Sequence, residues 1–371
     1  MMQICLPEHC TGCAACANIC PKHCIKMNPD HRLGHFIPYI DSSLCVECGL
    51  CQKTCPQNAK IDFQAPLQCY AAWEKDERSY QTSSSGGVAT VFSRYILRLG
   101  GVVYGCAVQE GRVEHIRVAD EKDLMLLKGS KYVQSFISET LLIQIKQDLL
   151  SNLKVLFVGT PCQVRGVQSF LKKTYDNLYL VDIICHGVPS SDLFFSYIKG
   201  KIGNNVSIDR IRFRDNQHYK LSVWGDGEML YSRRMPKDLY YVGFMRRLLF
   251  RESCYQCRYA QKGRISDVTV GDFWGIGKLK LKERPQNGLS LILINTDKGN
   301  HLLNEVQAEL YLEERSVSEA IAGNKQLRFP SRKHFARGLF VKLHSVLGFE
   351  PAAKIALFFD RIAYSILLRN K

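Results

Sequence analysis

The sequence predicts an α+β protein in three parts: a small cysteine-rich domain over residues 1–65, a larger domain with a mixed sheet over residues 66–330, and a helical tail over residues 331–371. Three observations support this prediction. A cysteine pattern is duplicated within residues 10–56, runs typical of buried strands alternate with amphipathic helical stretches in the larger part, and basic and apolar residues alternate in the tail. The larger part is long enough to bury a sizeable core of its own.

The duplicated pattern contains eight cysteines. It reads Cys-x-x-Cys-x-x-Cys-x-x-x-Cys-Pro from Cys10 to Pro21, and it recurs 35 residues later from Cys45 to Pro56. Three thiolates of such a loop ligate one cubane 4Fe-4S cluster, and the fourth cysteine crosses to the other cluster. We therefore assign one cluster to Cys10, Cys13, Cys16 and Cys55. The second cluster is assigned to Cys45, Cys48, Cys51 and Cys20.

This segment resembles the bacterial two-cluster ferredoxins throughout its length, and it implies a ferredoxin-like N-terminal domain. The tails after the two motifs, Cys24-Ile-Lys-Met and Ala59-Lys-Ile-Asp-Phe, predict short strands that close each half. Zinc and disulfide bonds are the alternatives. Zinc sites usually pair two Cys-x-x-Cys units, which is not the spacing seen here.

Composition is that of an ordinary soluble protein, with 46% apolar and 23% charged residues. No basic region followed by an apolar core opens the sequence, and no apolar run approaches the roughly 18 residues of a membrane span. Sixteen cysteines without an export signal argue for metal binding in a reducing compartment. We therefore expect a cytoplasmic protein.

The formal net charge of +15 favours an acidic partner such as a ferredoxin or a flavodoxin. Bound clusters would remove several of these units, but the remaining charge is still basic. Nucleic acid is the competing explanation. The sequence contains no recognised nucleic-acid motif, and its Lys and Arg residues are spread along the chain, so this partner is not favoured.

Two glycine-bearing loops predict contacts with an anion. The first consists of Ser84, Ser85, Gly86 and Gly87. It precedes a helical stretch, and small residues at a helix start leave N–H groups free to bind the phosphates of a flavin or deazaflavin. An ordinary serine cap is the alternative. The second loop contains Lys131 and Tyr132, and Lys131 either reaches a phosphate or lies at the surface.

Four further cysteines predict a third ligand set. Thr160 and Pro161 suit the start of a helix, which places Cys162 in a first turn where free N–H groups and the dipole stabilise a thiolate. Cys185 follows a strand, at the edge where open α/β sheets bind ligands. With Cys254 and Cys257 they supply the four thiolates of one more 4Fe-4S cluster. A packed thiol at Cys162 and a disulfide between Cys254 and Cys257 are the alternatives.

Other candidates lie close to these motifs. His186 could deliver a proton to a flavin or a substrate, or hold its loop by a hydrogen bond. Trp274 could stack on a cofactor ring or simply pack, and Asp272 lies two residues before it. No role is assigned to the remaining cysteines, Cys5, Cys24, Cys69 and Cys106.

The tail predicts a terminal helix with one apolar face. That face consists of Ile355, Phe358, Phe359, Ile362 and Ile366. We expect this helix to dock on the core. Contact with a membrane surface or with a partner is the alternative.

Six motifs occur in order along the larger part. They are Ser84-Ser-Gly-Gly87, Lys128-Gly-Ser-Lys-Tyr132, Gly159-Thr-Pro-Cys-Gln163, Cys185-His-Gly-Val-Pro189, Cys254-x-x-Cys257 and Ser266-Asp-x-Thr-x-Gly-Asp-Phe-Trp-Gly275. As a set they resemble the coenzyme F-420 hydrogenase/dehydrogenase beta-subunit family, over about residues 1–330 with the ferredoxin-like unit included.

The resemblance implies an FAD site, a third 4Fe-4S cluster, and electron transfer between clusters and flavin. The residues it implies for the flavin include Gly159, Thr160, Gln163, Asp272 and Trp274, besides the two loops described above. The family includes deazaflavin-reducing hydrogenase subunits, chlorophyll-derivative reductases, and bacterial members of glycan or capsule gene clusters. The fused ferredoxin and basic tail are most similar to the last group. A role in polysaccharide biosynthesis is therefore expected, and coenzyme F-420 is not the favoured substrate.

We therefore predict an iron–sulfur flavoprotein oxidoreductase. A low-potential donor passes single electrons through the clusters to FAD, which reduces a small organic substrate or a deazaflavin. His186 and Lys131 are the catalytic candidates. The alternatives are an electron-transfer subunit of a larger redox complex with no substrate site of its own, and a nucleic-acid-linked iron–sulfur protein.

Overall fold

The computed structural model describes residues 3–109, 111–215, 218–276 and 281–369. Its first part folds around the two cysteine loops. Helices α1 (Ala15–Ile19) and α2 (Leu50–Thr54) each follow one loop, and strands β1 (Ile25–Pro29) and β2 (Phe36–Ile40) pair antiparallel with Ile25 opposite Ile40. The short strand predicted after the first motif is thus confirmed.

The strand predicted after the second motif is wrong. Residues 59–63 form no strand, and Gln64 makes only an isolated bridge to Arg264. The reason is the lack of a partner strand. β1 pairs with the residues that precede the second motif, whereas the residues that precede the first motif bend and enter a 3-10 turn at Pro7–His9. Pro7 has no backbone N–H with which to join a ladder.

Eleven further strands are described, and they form two sheets. They are β3 (Gln68–Glu74), β4 (Val102–Gln109), β5 (Arg112–Val118), β6 (Val155–Gly159), β7 (Leu178–Ile183), β8 (Arg210–Asp215), β9 (His218–Gly225), β10 (Glu228–Arg234), β11 (Val268–Asp272), β12 (Ser290–Ile294) and β13 (Leu310–Arg315). The large sheet has the order β13-β3-β12-β11-β7-β6-β4-β5, and β10-β9-β8 form a separate antiparallel sheet.

The centre of the large sheet is parallel. Neighbours among β11, β7, β6 and β4 run in the same direction, and the outer strands on both sides pair antiparallel. The sheet is therefore mixed, and the predicted α+β class is confirmed. Because parallel strands end at the same edge, the loops after β6, β7 and β11 meet there.

The helices connect and cover these strands. After α2 they are α3 (Glu77–Gln81), α4 (Val88–Arg98), α5 (Leu124–Leu127), α6 (Leu141–Leu150), α7 (Pro161–Leu171), α8 (Ser191–Ile202), α9 (Leu239–Met245), α10 (Asp297–Val306), α11 (Val317–Gly323), α12 (Arg337–Leu347), α13 (Phe349–Ala356) and α14 (Phe358–Arg369). Further 3-10 turns lie at Glu121–Asp123, Glu252–Gln256, Gln307–Glu309 and Lys325–Leu327. No described helix combines the length and apolar character needed to cross a membrane.

Both faces of the large sheet are buried, as a parallel sheet requires. Successive residues of a strand point to opposite faces. Phe157 accordingly packs with α6, α7 and the cysteine-rich part, whereas Leu156 packs with α4 and α10. One continuous core thus joins Ala15 of α1 to Val167 of α7. The domain boundaries drawn from the sequence at residues 65 and 330 stay predictions.

The tail docks on the small antiparallel sheet. Phe340 of α12 and Phe349 of α13 are buried against Tyr240 of α9 and Phe213 of β8. The opposite side of the tail stays exposed, with Phe359 at 71% and Phe358 at 55% exposure. The side chain of Ile366 and residues 370–371 lie outside the described part of the chain. The tail docks, as expected, but the predicted apolar face is wrong, because its described members Ile355, Phe358, Phe359 and Ile362 are exposed and other tail residues make the contact.

Candidate functional site

The two sets of cysteines predicted from the duplicated motif each come together around a narrow cleft. One cleft is lined by Cys20, Cys45, Cys48 and Cys51, together with Cys24. The other is lined by Cys10, Cys13, Cys16 and Cys55, together with Cys5. In both sets the fourth cysteine comes from the other motif, as the crossed assignment requires. We call these the outer set (Cys20, Cys45, Cys48, Cys51) and the inner set (Cys10, Cys13, Cys16, Cys55).

The names reflect exposure. Cys48 is exposed and Cys45 is half-buried, whereas all four cysteines of the inner set are buried. Each loop turns sharply through residues with positive φ, among them Gly12 at 69° and Gly49 at 71°. Glycine adopts this backbone conformation without strain. The turns let consecutive cysteines of one short loop face a common point.

Each set has a fifth thiol beside it. The Sγ atoms of Cys24 and Cys20 are 3.4 Å apart, and Cys5 hydrogen-bonds to both Cys10 and Cys55. The hydrogen bond from Cys5 is the main cause that lowers the pKa of the Cys10 thiol to about 5, with a contribution from Arg251. The sequence pattern gave Cys5 and Cys24 no role, because neither belongs to the repeated spacing.

The third set, defined as Cys162, Cys185, Cys254 and Cys257, gathers from three loops. Cys162 lies in the first turn of α7, where Thr160 and Gln163 form a reciprocal cap, and Cys185 follows β7. Burial raises the pKa of the Cys185 thiol, and the neighbouring thiols of Cys254, Cys162 and Cys257 raise it further. Only groups near one another have this effect. Cys254 and Cys257 are free thiols, not a disulfide.

The donor sets fit clusters better than single ions. Among the described residues, no three His, Cys, Asp or Glu side chains are placed to share one metal ion. Four thiols around a cleft, however, are the ligands of a cluster several atoms across. A further observation fits the inner and third sets. The hydroxyl of Tyr259 is buried near Cys162, Cys13 and Cys257 and has no hydrogen-bond partner among the described residues.

A cavity of about 410 Å³ opens beside the third set, at the carboxyl edge of β6, β7 and β11. Its volume lies in the range of small-molecule and cofactor sites. The predicted residues that line it are Ser84, Ser85, Gly87, Lys131, Tyr132, Gly159, Thr160, Gln163, His186, Asp272 and Trp274, and Cys162 and Cys185 line it as well. Gly86 lies behind the wall, where its N–H donates to Ser290 Oγ.

The glycine–serine loop forms one wall of this cavity. Gly87, with φ 79°, precedes α4, and no side chain caps that helix. The ordinary serine cap is therefore not formed. Ser85 donates its hydroxyl to Leu289 O, and Ser84 Oγ accepts a 2.7 Å bond from the N–H of Ser130 in the second loop. The uncapped amino end of an 11-residue helix is suited to an anion.

The ammonium of Lys131 is occupied by protein acceptors and does not offer a free donor to a phosphate. Its buried Nζ donates to five backbone carbonyl oxygens at 3.0–3.4 Å, those of Cys106, Leu126, Leu127, Lys128 and Gly129. Burial lowers the pKa of this ammonium. In this structure the hydrogen bonds of Lys131 therefore stabilise the conformation of its loop. Four of these carbonyls lie within five positions of Lys131, whereas that of Cys106, on β4, could not be predicted from the loop sequence.

His186 and Trp274 face the cavity in different settings. Burial is the main cause that lowers the pKa of His186 to about 4, and the charge of Arg247 lowers it further. Its imidazole is therefore neutral near pH 7. The carbonyl of His186 accepts a hydrogen bond from Ser331. Trp274 is 40% exposed and stacks on Tyr219, and Asp272 pairs with Arg214. Burial raises the pKa of Asp272.

Sequence patterns alone missed several polar residues of the site. His115 lines the cavity, and the ion pair of Asp182 and Arg264, at 2.7 Å, is fully buried beneath the loop that carries Cys185. Arg251 is buried between the inner and third sets. The only signal for Arg251 was its position three residues before Cys254.

Two family models match the chain. Residues 152–320 match the C-terminal family of the coenzyme F420 hydrogenase/dehydrogenase beta subunit, and residues 9–59 match the 4Fe-4S dicluster domain. The first contains all four cysteines of the third set, and the second contains both N-terminal sets.

Individual relatives are similar over different lengths. The coenzyme F420-dependent sulfite reductase of Methanocaldococcus jannaschii is 26% identical over 314 residues, which cover 80% of this chain and 46% of that protein. The chain thus spans about half the length of this relative. A 7Fe ferredoxin of Hydrogenibacillus schlegelii is 35% identical over 60 residues, 16% of this chain and 69% of the ferredoxin. A xenon derivative of the F420-reducing NiFe hydrogenase complex from Methanosarcina barkeri matches 72% of this chain and 94% of its own at 15% identity, with a TM-score of 0.48.

Proposed function

We propose that this chain, whose residues 152–320 belong to the coenzyme F420 hydrogenase/dehydrogenase beta-subunit family and whose residues 9–59 belong to the 4Fe-4S dicluster family, is an iron–sulfur flavoprotein oxidoreductase. The observation that carries the proposal is the cavity bordered by the third set on one side and by the glycine–serine loop on the other. Bound clusters would transfer single electrons there, and a flavin would exchange two with an organic substrate or a deazaflavin.

The described contacts support an order for the three thiol sets from outer through inner to third. The outer set reaches the surface at Cys48, and the inner set is buried. Gly166 of α7 lies so close to Cys13 that an added Cβ would be 2.8 Å from the Cys13 Cβ, and Cys162 begins the same helix. This order supports a path in which electrons arrive at the outer set and reach the cavity through the third set.

The proposed flavin site has an anionic and an aromatic side. The N–H groups at the start of α4, beside Ser84 and Gly87, suit the phosphates of FAD. Tyr132 packs between Phe213 and Phe244, with ring centroids 4.9 and 4.4 Å away. Trp274 stacks on Tyr219 and is 40% exposed, and its exposed part would contact a ring system. The neutral His186 is the candidate for exchanging a proton with the substrate, because it is the cavity imidazole beside the third set.

We also propose an acidic redox protein as the donor. Three large apolar side chains of the cysteine-rich part are between 54% and 59% exposed: Tyr39, Leu44 and Val46. Val46 lines the same cleft as Cys48. Exposed Lys22 and Lys53 on the cysteine-rich part are balanced by exposed Asp41 and Glu47, so the attraction of an acidic partner rests on the net charge of the whole chain, +15. An exposed apolar contact together with a positive net charge suits an acidic partner.

The test is a count of cofactors after anaerobic purification. About 12 iron atoms with as many acid-labile sulfides, and one FAD per chain, are expected for three clusters, and about 8 iron atoms for two. Changing Cys162 to Ser should remove about a third of the iron. The matched control is Cys69→Ser, a buried thiol of β3 outside all three sets. Unchanged iron in the Cys162 variant would show that the third set holds no cluster.

A second measurement separates an enzyme from a pure electron carrier. If the chain is an enzyme, the reduced protein should bind an oxidised organic acceptor or deazaflavin in the cavity. That acceptor should reoxidise the protein without a second protein present. Reoxidation only after a second protein is added would favour the electron-carrier alternative. FAD-free protein that still holds all its iron would remove the flavin from the proposal.

A further inference from the structure

Arg251 is a buried cation without a carboxylate partner, and the thiol of Cys10 is the acidic group beside its guanidinium. Its side chain is only 3% exposed. The guanidinium donates to the carbonyl oxygens of Cys10 at 2.6 Å and Phe36 at 2.7 Å, and to the side-chain oxygen of Gln134 at 2.9 Å. All three acceptors are neutral. No carboxylate of the described chain pairs with it.

Such an arrangement is costly by itself. Moving an ionised group from water into the protein interior carries a desolvation penalty of several kcal/mol, and neutral acceptors offset only part of it. Other buried arginines of this chain do have partners, since Arg264 pairs with Asp182 and Arg315 pairs with Glu313 and Glu319. The exception at Arg251 therefore indicates an anion that belongs beside it.

The position of Arg251 identifies that anion. On one side its guanidinium holds the loop of Cys10 in the inner set. On the other side its backbone N–H donates to the carbonyl of Val188, on the loop that follows Cys185, and its carbonyl accepts from the N–H of Cys254. Its charge acts on the thiols of both Cys162 and Cys254. Arg251 thus lies between the inner and third sets.

A donor without an acceptor lies on the same boundary. The hydroxyl of Tyr259 is buried near Cys13, Cys162 and Cys257, and no described group accepts its proton. A buried donor without an acceptor normally costs stability. The sulfides and thiolates of clusters on either side would supply the missing acceptors.

We propose that Arg251 is the shared counter-charge of the inner and third clusters, and that it raises both reduction potentials above that of the outer cluster. The inference rests on the proposed function, because it requires clusters in both sets. Adding an electron makes a 4Fe-4S cluster more negative, and a fixed positive charge in a low-dielectric interior stabilises that form. Electrons that arrive at the outer set are thereby drawn inward.

The experiment is a redox titration of each cluster by EPR in the wild type and in Arg251→Gln. The outer signal is assigned beforehand by its loss in Cys48→Ser. We expect the midpoints of the inner and third clusters to become more negative in Arg251→Gln, so that their reduced-to-oxidised ratio at a fixed potential falls on the order of tenfold. The midpoint of the outer cluster should not move, because none of the described hydrogen bonds of the Arg251 guanidinium involves an outer-set cysteine.

The matched control is Arg258→Gln. The Arg258 guanidinium also donates to backbone carbonyls of the cysteine-rich part, those of Pro56, Gln57 and Ala59, but it is exposed. Water should screen its charge, so its removal should leave all three midpoints in place. Equal shifts in both variants would overturn the counter-charge role.

Further outcomes separate charge from shape. Arg251→Lys keeps the charge and should restore the wild-type midpoints, and also the iron content if Arg251→Gln loses iron. Identical behaviour of the Lys and Gln variants, or full iron with unchanged midpoints in Arg251→Gln, would overturn the inference and leave the proposed function intact. A wild-type protein without clusters would overturn both.

Discussion

His115 shows how a single buried side chain makes stability depend on pH. Its Nε2 lies 3.0 Å from Val158 O and its Nδ1 2.7 Å from Ser135 Oγ. A carbonyl can only accept, so Nε2 carries the proton and Nδ1 accepts from Ser135. Burial lowers the pKa of His115 from 6.5 to about 4. The imidazole is therefore neutral in the folded protein at pH 7.

The consequence is a loss of stability in acid. The unfolded chain binds a proton at this residue below about pH 6.5, whereas the folded chain does so only near pH 4, so the stabilisation present above pH 6.5 is lost as pH falls through that window. Between pH 7 and pH 5 we expect the wild type to lose about 2 kcal/mol more unfolding free energy than His115→Gln. Chemical denaturation at both pH values measures this. Equal losses in the two proteins would contradict it.

The cysteines were predictable from their local spacing. The residues that contact them from distant parts of the chain were not predictable. Cys10, Cys13 and Cys16 face one cleft because the loop that carries them is short. Arg251 meets the carbonyl of Cys10 across 241 positions of sequence, and no local pattern encodes that contact. The same limit applies to Lys131, whose carbonyl partners include Cys106 on another strand.

Helix α7 shows the same contrast for a whole element. Its start was predictable from Thr160 and Pro161, which cap and begin it. The packing of α7 was not predictable, because Gly166 is needed only where α7 closely approaches Cys13 of the inner set. The strand predicted at residues 59–63 is likewise absent because no described strand lies beside it as a partner, and the local sequence pattern does not show whether a partner exists.

Gly166→Ala tests this packing. The added Cβ would lie 2.8 Å from Cys13 Cβ and 3.2 Å from Cys13 Sγ, so either the inner loop or α7 must shift. We expect a loss of about 1–3 kcal/mol in unfolding free energy, with reduced iron in the inner set. The control is Gly200→Ala in α8, where no atom lies within 4 Å of the new Cβ. That variant should be as stable as the wild type or slightly more so. Full iron and stability in Gly166→Ala would show that the contact can yield.

At the scale of the whole molecule, net charge governs encounters with a donor. The chain carries a formal +15, and its outer set reaches the surface at Cys48. The rate of reduction by an acidic redox protein should fall about tenfold as ionic strength rises well above 0.1 M, because the screening length shrinks below about 10 Å. Stopped-flow kinetics measures the rate. A small neutral reductant is the control, and its rate should not change with salt.

The overall architecture was predictable only in part. Apolar runs such as Val155–Gly159 and Leu178–Ile183 indicated buried strands, and both lie in the parallel centre of the sheet. The order of the strands was not predictable, because β3 inserts between β12 and β13 from far away in the chain. The sheet is mixed because β12 and β5 flank the parallel centre and pair antiparallel with it. The cavity depends on the parallel centre, where three strands end at one edge.

The exposure of Cys48 also determines how the molecule ages. Dissolved oxygen reaches the outer set directly, whereas the inner set is covered by the core that joins α1 to α7. If clusters are bound, a sample opened to the atmosphere should lose the iron of the outer centre before that of the inner centre, and spectroscopy distinguishes the two. Decay of both centres together would contradict a protective effect of burial. Loss of the outer centre first would make brief oxidation a means of isolating the inner centre without mutation.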